Sequence, residues 1–570
     1  MDSSAPSHPD DISIVLCGAA GQGIQTIEHI LTQVLKLSGY NVFATKEYMS
    51  RIRGGSNSTE IRVSSKRVAA SLDRIDLLVP LDNSAIPHLE SRISSSTVIL
   101  GERTKLTTKL EITDIPFSSI AAEIGGQIYA NMVAIGVIAG LFRCEKPLLD
   151  RYIAAYFAKK GEAIVEKNRQ AVRKGFKIAA DLLDKGKITI DMHSDKKVGK
   201  EMLLTGAEAV SLGAIAGGCT FIAAYPMSPS TGVLTFLAQH AQEFGIVAEQ
   251  AEDEISAINM VVGAWYAGAR GLASTSGGGF ALMEEGLSLA GMIESPVVIH
   301  LAQRPGPATG LPTRTEQGDL ELALYAGHGE FPRAILAPGS IGDAFHLTRH
   351  AFDLAAHCQV PVFVLTDQYL IDSLANVPPF DVSDLQVEHH IVETTAGYRR
   401  FAFTETGISP RGVPGFGSGL VVVDSDEHDE EGHITEDMEI RTRMVEKRLR
   451  KMESLRQEAI PPDLLGAEEY TTLVICWGTT LHVVREAVEQ RGNKGVAILH
   501  FRQVYPIHPA ATDYCARASR RVIVENNATS QFGRLLTLHT GVEMDHAILK
   551  YNGLPFSVEQ VVERLKALGE

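Results

Sequence analysis

Hydrophobic and polar positions change rhythm repeatedly along this chain, and the rhythm predicts strands alternating with helices. An apolar run over 12–17 leads into the turn Gly18-Ala-Ala-Gly21-Gln-Gly23 and then an amphipathic helical pattern over 24–37. Strand, glycine turn and helix in that order suggest a doubly wound α/β unit. Short β-branched runs recur at 220–224, 296–300 and 361–365, separated by Ala- and Gly-rich helical stretches, and the pattern restarts at 473–478. Runs that are apolar throughout predict strands buried on both faces of parallel sheets.

The pattern divides the chain into five stretches. Residues 1–187 make a first α/β domain, and the polar segment 188–200 reads as a linker. Residues 201–376 make a second domain. Residues 377–470 connect it to the last, over 471–570. The connecting region holds a turn-rich segment (404–417), an acidic patch (424–437) and a basic helix (441–456). Charges at i,i+4 spacing on that helix suit a solvated face.

Composition narrows the function classes. With 570 residues and a net charge of −16, the chain lacks the clustered Lys and Arg of a nucleic-acid binder. It has 45% hydrophobic and 21% charged residues, enough to bury a large core. The polar, acidic start carries no secretory pattern, and the longest apolar run is too short for a bilayer. The expectation is a soluble cytoplasmic protein that binds no membrane. Six cysteines are scattered with none at C-x-x-C spacing, so no disulfide framework, structural zinc or iron–sulfur cluster is expected on this chain alone.

Several segments carry candidate chemistry. The turn Gly18–Gly23 can bring backbone N–H groups to an anion at a helix start, or it can be a plain βα turn. No acid sits at the end of a second strand to hold a ribose, which argues against NAD. Arg51 and Arg53 beside Gly54 and Gly55 can grip an anion or form a solvated loop. Tyr225-Pro226-Met-Ser228-Pro-Ser230-Thr231 is a stiff turn between strand and helix. It presents three hydroxyls at a helix start, with Ser230 or Thr231 expected to cap it. Glu249, Glu252, Asp253 and Glu254 open the next helix. Glu254 begins the apolar repeat and so points inward, where a carboxyl must be paired or functional. The glycine loop at Ser276 and Gly277 lets a flat ligand approach backbone. Arg304 is a natural fork for a carboxylate, and a loop salt bridge is its ordinary alternative. Ser228, Gly277 and Arg304 each follow an expected strand, so they can share one rim. The stretch Glu427-His-Asp-Glu-Glu-Gly-His433 has no zinc spacing and is expected to be exposed.

Four of these motifs together resemble the α subunit of 2-oxoacid:ferredoxin oxidoreductases: Tyr225–Thr231, Glu252-Asp-Glu-Ile-Ser-Ala257, Ser274-Thr-Ser-Gly277 and Arg304 to Gln317. Gly18–Gly23 and Arg53-Gly-Gly55 resemble that family's γ domain, so the chain resembles a γ–α fusion. Thr404–Arg411 and Glu427–His433 fit the 2-oxoglutarate type. The resemblance implies α/β domains with doubly wound parallel sheets: a γ domain, a thiamine-pyrimidine-binding domain and a transketolase-C-terminal-like domain.

It implies thiamine diphosphate chemistry: 2-oxoglutarate, CoA and oxidised ferredoxin give succinyl-CoA, CO2 and reduced ferredoxin. Pyruvate or a branched-chain 2-oxoacid is the alternative substrate, and a nucleotide-binding scaffold subunit is the alternative of another class. By motif, Glu254 would meet the pyrimidine, with Tyr225, Pro226, Ser276 and Gly277 around the cofactor. Arg304, Ser228, Ser230 and Thr231 would meet substrate, Arg304 and Ser228 with catalytic roles beside Glu254. The family's usual Thr is Ser228 here. Apart from the motifs, the basic stretch of Arg51, Arg53, Gly54 and Gly55 is the candidate contact for coenzyme A or another anion. No Gly-Asp-Gly motif is present, so Mg2+ and a [4Fe-4S] cluster are expected on a β subunit that shares the cofactor. The expected assembly is (αβ)2, with ferredoxin as its partner.

Overall fold

The apolar runs form the strands expected of them in the computed structural model, which describes residues 10–19, 22–49, 56–492 and 495–569. Val297–Gln303 and Pro361–Asp367 are buried at every position, as strands covered on both faces must be. They lie side by side in a seven-stranded sheet. Its order is Gln503–Tyr505, Ala334–Leu336, Pro361–Asp367, Val297–Gln303, Gly271–Thr275, Phe221–Ala224, Val247–Gln250. All pairs are parallel except the one at the Gln503–Tyr505 edge. Register sets Ala223 beside Ala273, Ala273 beside Ile299 and Ile299 beside Phe363. The loops that begin at 225, 276 and 304 therefore leave one edge.

This sheet belongs to a compact unit made of Thr205–Asp372, Phe380–Phe556 and Val561–Glu570. The same unit holds a five-stranded sheet, ordered Asp463–Gly466, Val496–Phe501, Thr472–Trp477, Arg520–Glu525, His546–Leu549. Only its Asp463–Gly466 edge is antiparallel. Trp477, Phe501 and Phe532 fill the core beside it.

The irregular region 377–437 is held by three buried arginines. Arg270 donates to the Glu388 carbonyl at 2.8 Å, Arg400 to that of Glu294 at 2.7 Å and Arg411 to that of His389 at 3.0 Å. Carbonyls outside regular structure need such partners once water is gone.

The helix Met438–Gln457 departs from the solvated face expected of it. Lys447 and Lys451, four residues apart, are buried against the Glu294 carboxylate. The acidic patch departs similarly: Glu427 receives Arg441 and Arg448, and His428 is fully buried. A charge count along the sequence does not show which charges find partners inside.

The second unit comprises Met1–Leu204, Ser373–Pro379 and Ser557–Gln560. Its eight-stranded sheet runs Thr113–Asp114, Val98–Gly101, Leu77–Pro80, Asp11–Ala19, Ser56–Ser64, Asn41–Glu47, Leu374–Val377, Met202–Thr205. The sheet is mixed, which corrects the doubly wound parallel expectation for this domain. Asn41–Glu47 and Ser56–Ser64 pair antiparallel, since the residues between them are too few for a parallel crossover. The helix Ile24–Leu37 forms as expected. The segment expected as a linker is laid on this core instead, through Ile188, Ile190 and Met192, and Lys36 donates to the carbonyls of Gly199 and Glu201. Among the described residues no single helix is long and apolar enough to cross a membrane. The apolar helix Ala130–Leu141 is buried in this unit's core.

Candidate active site

Helix Glu254–Tyr266 follows Val247–Gln250 directly, and its first residue carries the central group of the site. Asp253 takes the capping role, its Oδ1 accepting from the Ser256 N–H at 2.8 Å. Glu254 is thereby left without that duty. Its side chain is only 3% exposed, and Oε1 is buried with no hydrogen-bond partner. Burial, helped by the neighbouring Asp253 charge, pushes its pKa above the ordinary range.

The carboxyl lies on the glycine loop after Gly271–Thr275. A Cβ added to Gly279 would stand 2.4 Å from Glu254 Oε1 and 2.3 Å from Thr275 Oγ1. Asp319 meets the same loop from the other side: a Cβ on Gly277 would stand 2.5 Å from both of its carboxyl oxygens. Asp319 Oδ2 and Ser276 Oγ are also buried without partners. Burial, with the Glu316 charge added and Arg304 opposing, pushes the Asp319 pKa up to about 7. Two carboxyl oxygens and a hydroxyl thus converge on one glycine turn unsatisfied. Buried polar atoms are nearly always paired, so such a set marks a place shaped for a ligand.

Arg304, at the end of Val297–Gln303, donates from Nη1 to the Ser228 carbonyl oxygen at 2.7 Å. That bond ties the two expected substrate loops together, and Ser228 remains exposed. Tyr225 is 41% exposed at the same edge, with Pro226 partly buried. Ser230 and Thr231 do not cap the following helix by side chain. Ser230 is buried, its hydroxyl donating back to the Met227 carbonyl at 2.8 Å, so it is withdrawn from substrate. Thr231 begins the helix and is partly exposed.

The 304–319 loop is held at its far end by the C-terminal sheet. Gln317 donates from Nε2 to the Trp477 carbonyl at 2.9 Å, its backbone N–H donates to the Asn526 carbonyl at 2.7 Å, and its Oε1 accepts from the Asn526 N–H at 2.9 Å. The Asp319 N–H donates to Gln303 Oε1 at 3.0 Å. Below the loops, His300 bridges Ser274 and Thr366 at 2.9 Å each, and burial holds it neutral, its pKa down at about 3.

In the other unit, the turn at Gly18 and Gly23 already has a carboxylate at its N–H. Ala19 N–H donates to Asp82 Oδ2 at 2.7 Å, where an anion would bind. Ala20, Gly21, Arg51, Arg53, Gly54 and Gly55 lie outside the described residues. A cavity of about 680 Å3 opens beside Gln22 and Gly23, lined also by Lys105, Tyr129, Asn131 and Lys160.

Comparison with known proteins finds relatives over nearly the whole chain. A family described as pyruvate flavodoxin/ferredoxin oxidoreductase, thiamine diphosphate-binding, matches residues 212–447, and pyruvate ferredoxin/flavodoxin oxidoreductase matches 13–178. A 2-oxoacid:ferredoxin oxidoreductase subunit alpha from Sulfolobus sp is 32% identical, over 97% of this chain and 96% of its own. The chain belongs to the 2-oxoacid:ferredoxin oxidoreductase family. Enzymes of this family are oxidoreductases with ferredoxin as acceptor. A relative from Mycobacterium tuberculosis named 2-oxoglutarate oxidoreductase subunit KorA is 26% identical over 98% of this chain and 91% of its own. The solved 2-oxoglutarate:ferredoxin oxidoreductase of Magnetococcus marinus superposes with a TM-score of 0.92 at 30% identity. That match covers 98% of this chain and 99% of that one.

The 2-oxoacid:ferredoxin oxidoreductase resemblance and the α/β architecture expected from sequence are thus borne out. Asp319 and Gly279 were not singled out. The only sequence signal for Asp319 was an acid closing the loop that Arg304 opens.

Proposed function

We propose that this chain is the subunit of a 2-oxoglutarate:ferredoxin oxidoreductase that activates thiamine diphosphate and receives the 2-oxoacid. The observation that carries the proposal is the buried, unpartnered Glu254 carboxyl over Gly277–Gly279, at the carboxyl edge of a parallel sheet. These residues fit the cofactor's pyrimidine. Glycine at 277 and 279 lets the Asp319 and Glu254 carboxyls pack onto the loop, and Oε1 lacks the partner that a ring nitrogen would supply. When bound, thiamine diphosphate supplies the electron sink that accepts the charge left by loss of CO2. Glu254 presents its unpartnered Oε1 to that nitrogen, and burial, which raises its pKa, favours sharing a proton there.

Arg304, aimed by its bond to the Ser228 carbonyl, would bind the substrate's carboxylate, with Ser228 and Thr231 hydroxyls beside it. This chain has no Gly-Asp-Gly motif. A β subunit therefore holds the diphosphate through Mg2+ and carries the [4Fe-4S] cluster that passes electrons to ferredoxin, in an (αβ)2 assembly. The Magnetococcus marinus structure has 2-oxoglutarate, coenzyme A and succinyl-CoA bound. That supports 2-oxoglutarate over pyruvate or branched-chain acids, and CoA as the acyl acceptor. Arg51, Arg53, Gly54 and Gly55 are the proposed CoA contacts.

The test is ferredoxin reduction by the co-purified complex on a panel of 2-oxoacids. 2-Oxoglutarate should exceed pyruvate and branched-chain acids in kcat/KM by about tenfold or more. Glu254→Gln should lower turnover by at least about 100-fold with the complex intact, and Gly279→Ala should follow it by displacing the carboxyl. Undiminished turnover in Glu254→Gln would refute the assignment.

A further inference from the structure

Three metal-ligating side chains meet away from the site above, where two helices end. His357 and Cys358 close Ile341–Cys358, and Glu458 is the C-cap of Met438–Gln457. One ligand atom from each lies within 4.8 Å of the other two. His357 Nδ1 is 3.0 Å from Glu458 Oε1, and Cys358 Sγ is 4.0 Å from the same oxygen. A tetrahedral zinc ion, with bonds of about 2.3 Å to sulfur and about 2.0–2.1 Å to nitrogen or oxygen, sets its ligand atoms roughly 3.3–3.7 Å apart. These two separations lie a few tenths of an ångström to either side of that range, and the His357 and Cys358 ligand atoms lie within 4.8 Å of each other.

Three further observations point to a cation. Both helices present C-terminal ends here, where the macrodipole favours positive charge. The His390 ring stands 5.1 Å from that of His357, and a cavity of about 490 Å3 lined by His357, His389 and His390 gives access. Two turns back on the first helix, His350 keeps Nε2 buried and unpartnered. Among the described residues no second group of three His, Cys, Asp or Glu meets so closely. An exposed His–Glu pair alone is worth little and is common. The buried thiol beside it sets this group apart.

We infer that His357, Cys358 and Glu458 bind a divalent cation of the zinc class, with the fourth position taken by His390 or water. Mixed nitrogen, sulfur and oxygen donors select such an ion over Mg2+ or Ca2+. Binding displaces two protons to solvent, that of the Cys358 thiol and the one His357 shares with Glu458, and clamps the two helix ends together.

The test takes the full chain, strips it with a chelator, and titrates it with Co2+ by absorption and with Zn2+ by calorimetry. The expected result is one equivalent, with a thiolate-to-cobalt charge-transfer band and tetrahedral visible bands that Zn2+ abolishes. Cys358→Ser should lose the charge-transfer band. His357→Asn, at an exposed position that leaves folding unaffected, should raise the Zn2+ Kd at least tenfold with far-ultraviolet dichroism unchanged. The inference is overturned by a wild-type chain with no thiolate band, by a band that survives Cys358→Ser, or by a Zn2+ affinity that His357→Asn does not move.

Discussion

A buried carboxyl that keeps its proton near neutrality lowers stability when it ionises, and Asp319 is such a group. Its pKa rises from 3.8 to about 7 in the fold. A raised pKa means the folded state binds the proton more tightly than the unfolded one. Its contribution to stability is therefore complete below about pH 4 and is lost as pH rises through 7. Asp319→Asn removes the charge and keeps the shape. Urea unfolding should show the variant more stable than the parent by about 1–3 kcal/mol at pH 8 and little changed at pH 4. An equal difference at both pH values would show that ionisation is not the cause. Function maintains such strain at sites of this kind. The site was legible in part because Ser228 and Arg304 follow β-branched runs and Glu254 opens an apolar helical repeat. Asp319 was not, because nothing local shows that a residue fifteen positions after Arg304 folds back onto Gly277.

Elements were legible where burial alone decides them and illegible where charge pairing does. The strands at 221–224, 297–303 and 361–367 follow from continuous apolar runs. The helix Met438–Gln457 was read from its charges as solvated, yet it buries Lys447 and Lys451 around Glu294, which lies far away in sequence. Burial by itself would raise the Glu294 pKa, but the ammoniums of Lys451 and Lys447 outweigh it and hold it well below the ordinary range. With its pKa depressed, this group contributes stability above the ordinary carboxylate range and loses it only as pH falls through the lowered value. Glu294→Gln leaves two buried ammoniums facing a neutral amide. Unfolding at pH 7 should show a loss of about 3–5 kcal/mol. A loss under about 1 kcal/mol would mean that water reaches the pair. The mixed sheet of the 1–204 unit was missed for a related reason: apolar runs mark strands but not their direction.

At the scale of the molecule, the edge that carries the site also carries uncovered apolar side chains. Ile255, Leu282 and Leu311 are each about half exposed, and each belongs to a segment that follows the carboxyl end of a strand in the seven-stranded sheet. Patches of this kind mark interaction surfaces, and the proposed β subunit must reach the same place to share the cofactor. Leu282→Asp should raise the dissociation constant for that subunit at least about tenfold in calorimetry, since a buried charge without a partner is costly. An unchanged constant would move the interface elsewhere.

The 1–204 unit has a consequence of a different kind. Asn41–Glu47 is flanked by Leu374–Val377, with Leu374 opposite Ala44, and Met202–Thr205 docks only beyond that strand. A nascent chain that has cleared residue 204 therefore presents an open flank of unpaired amides, a template for wrong neighbours. Synthesis of the stretch up to residue 377, at roughly 5–20 residues per second, keeps that flank open for roughly 10–30 s.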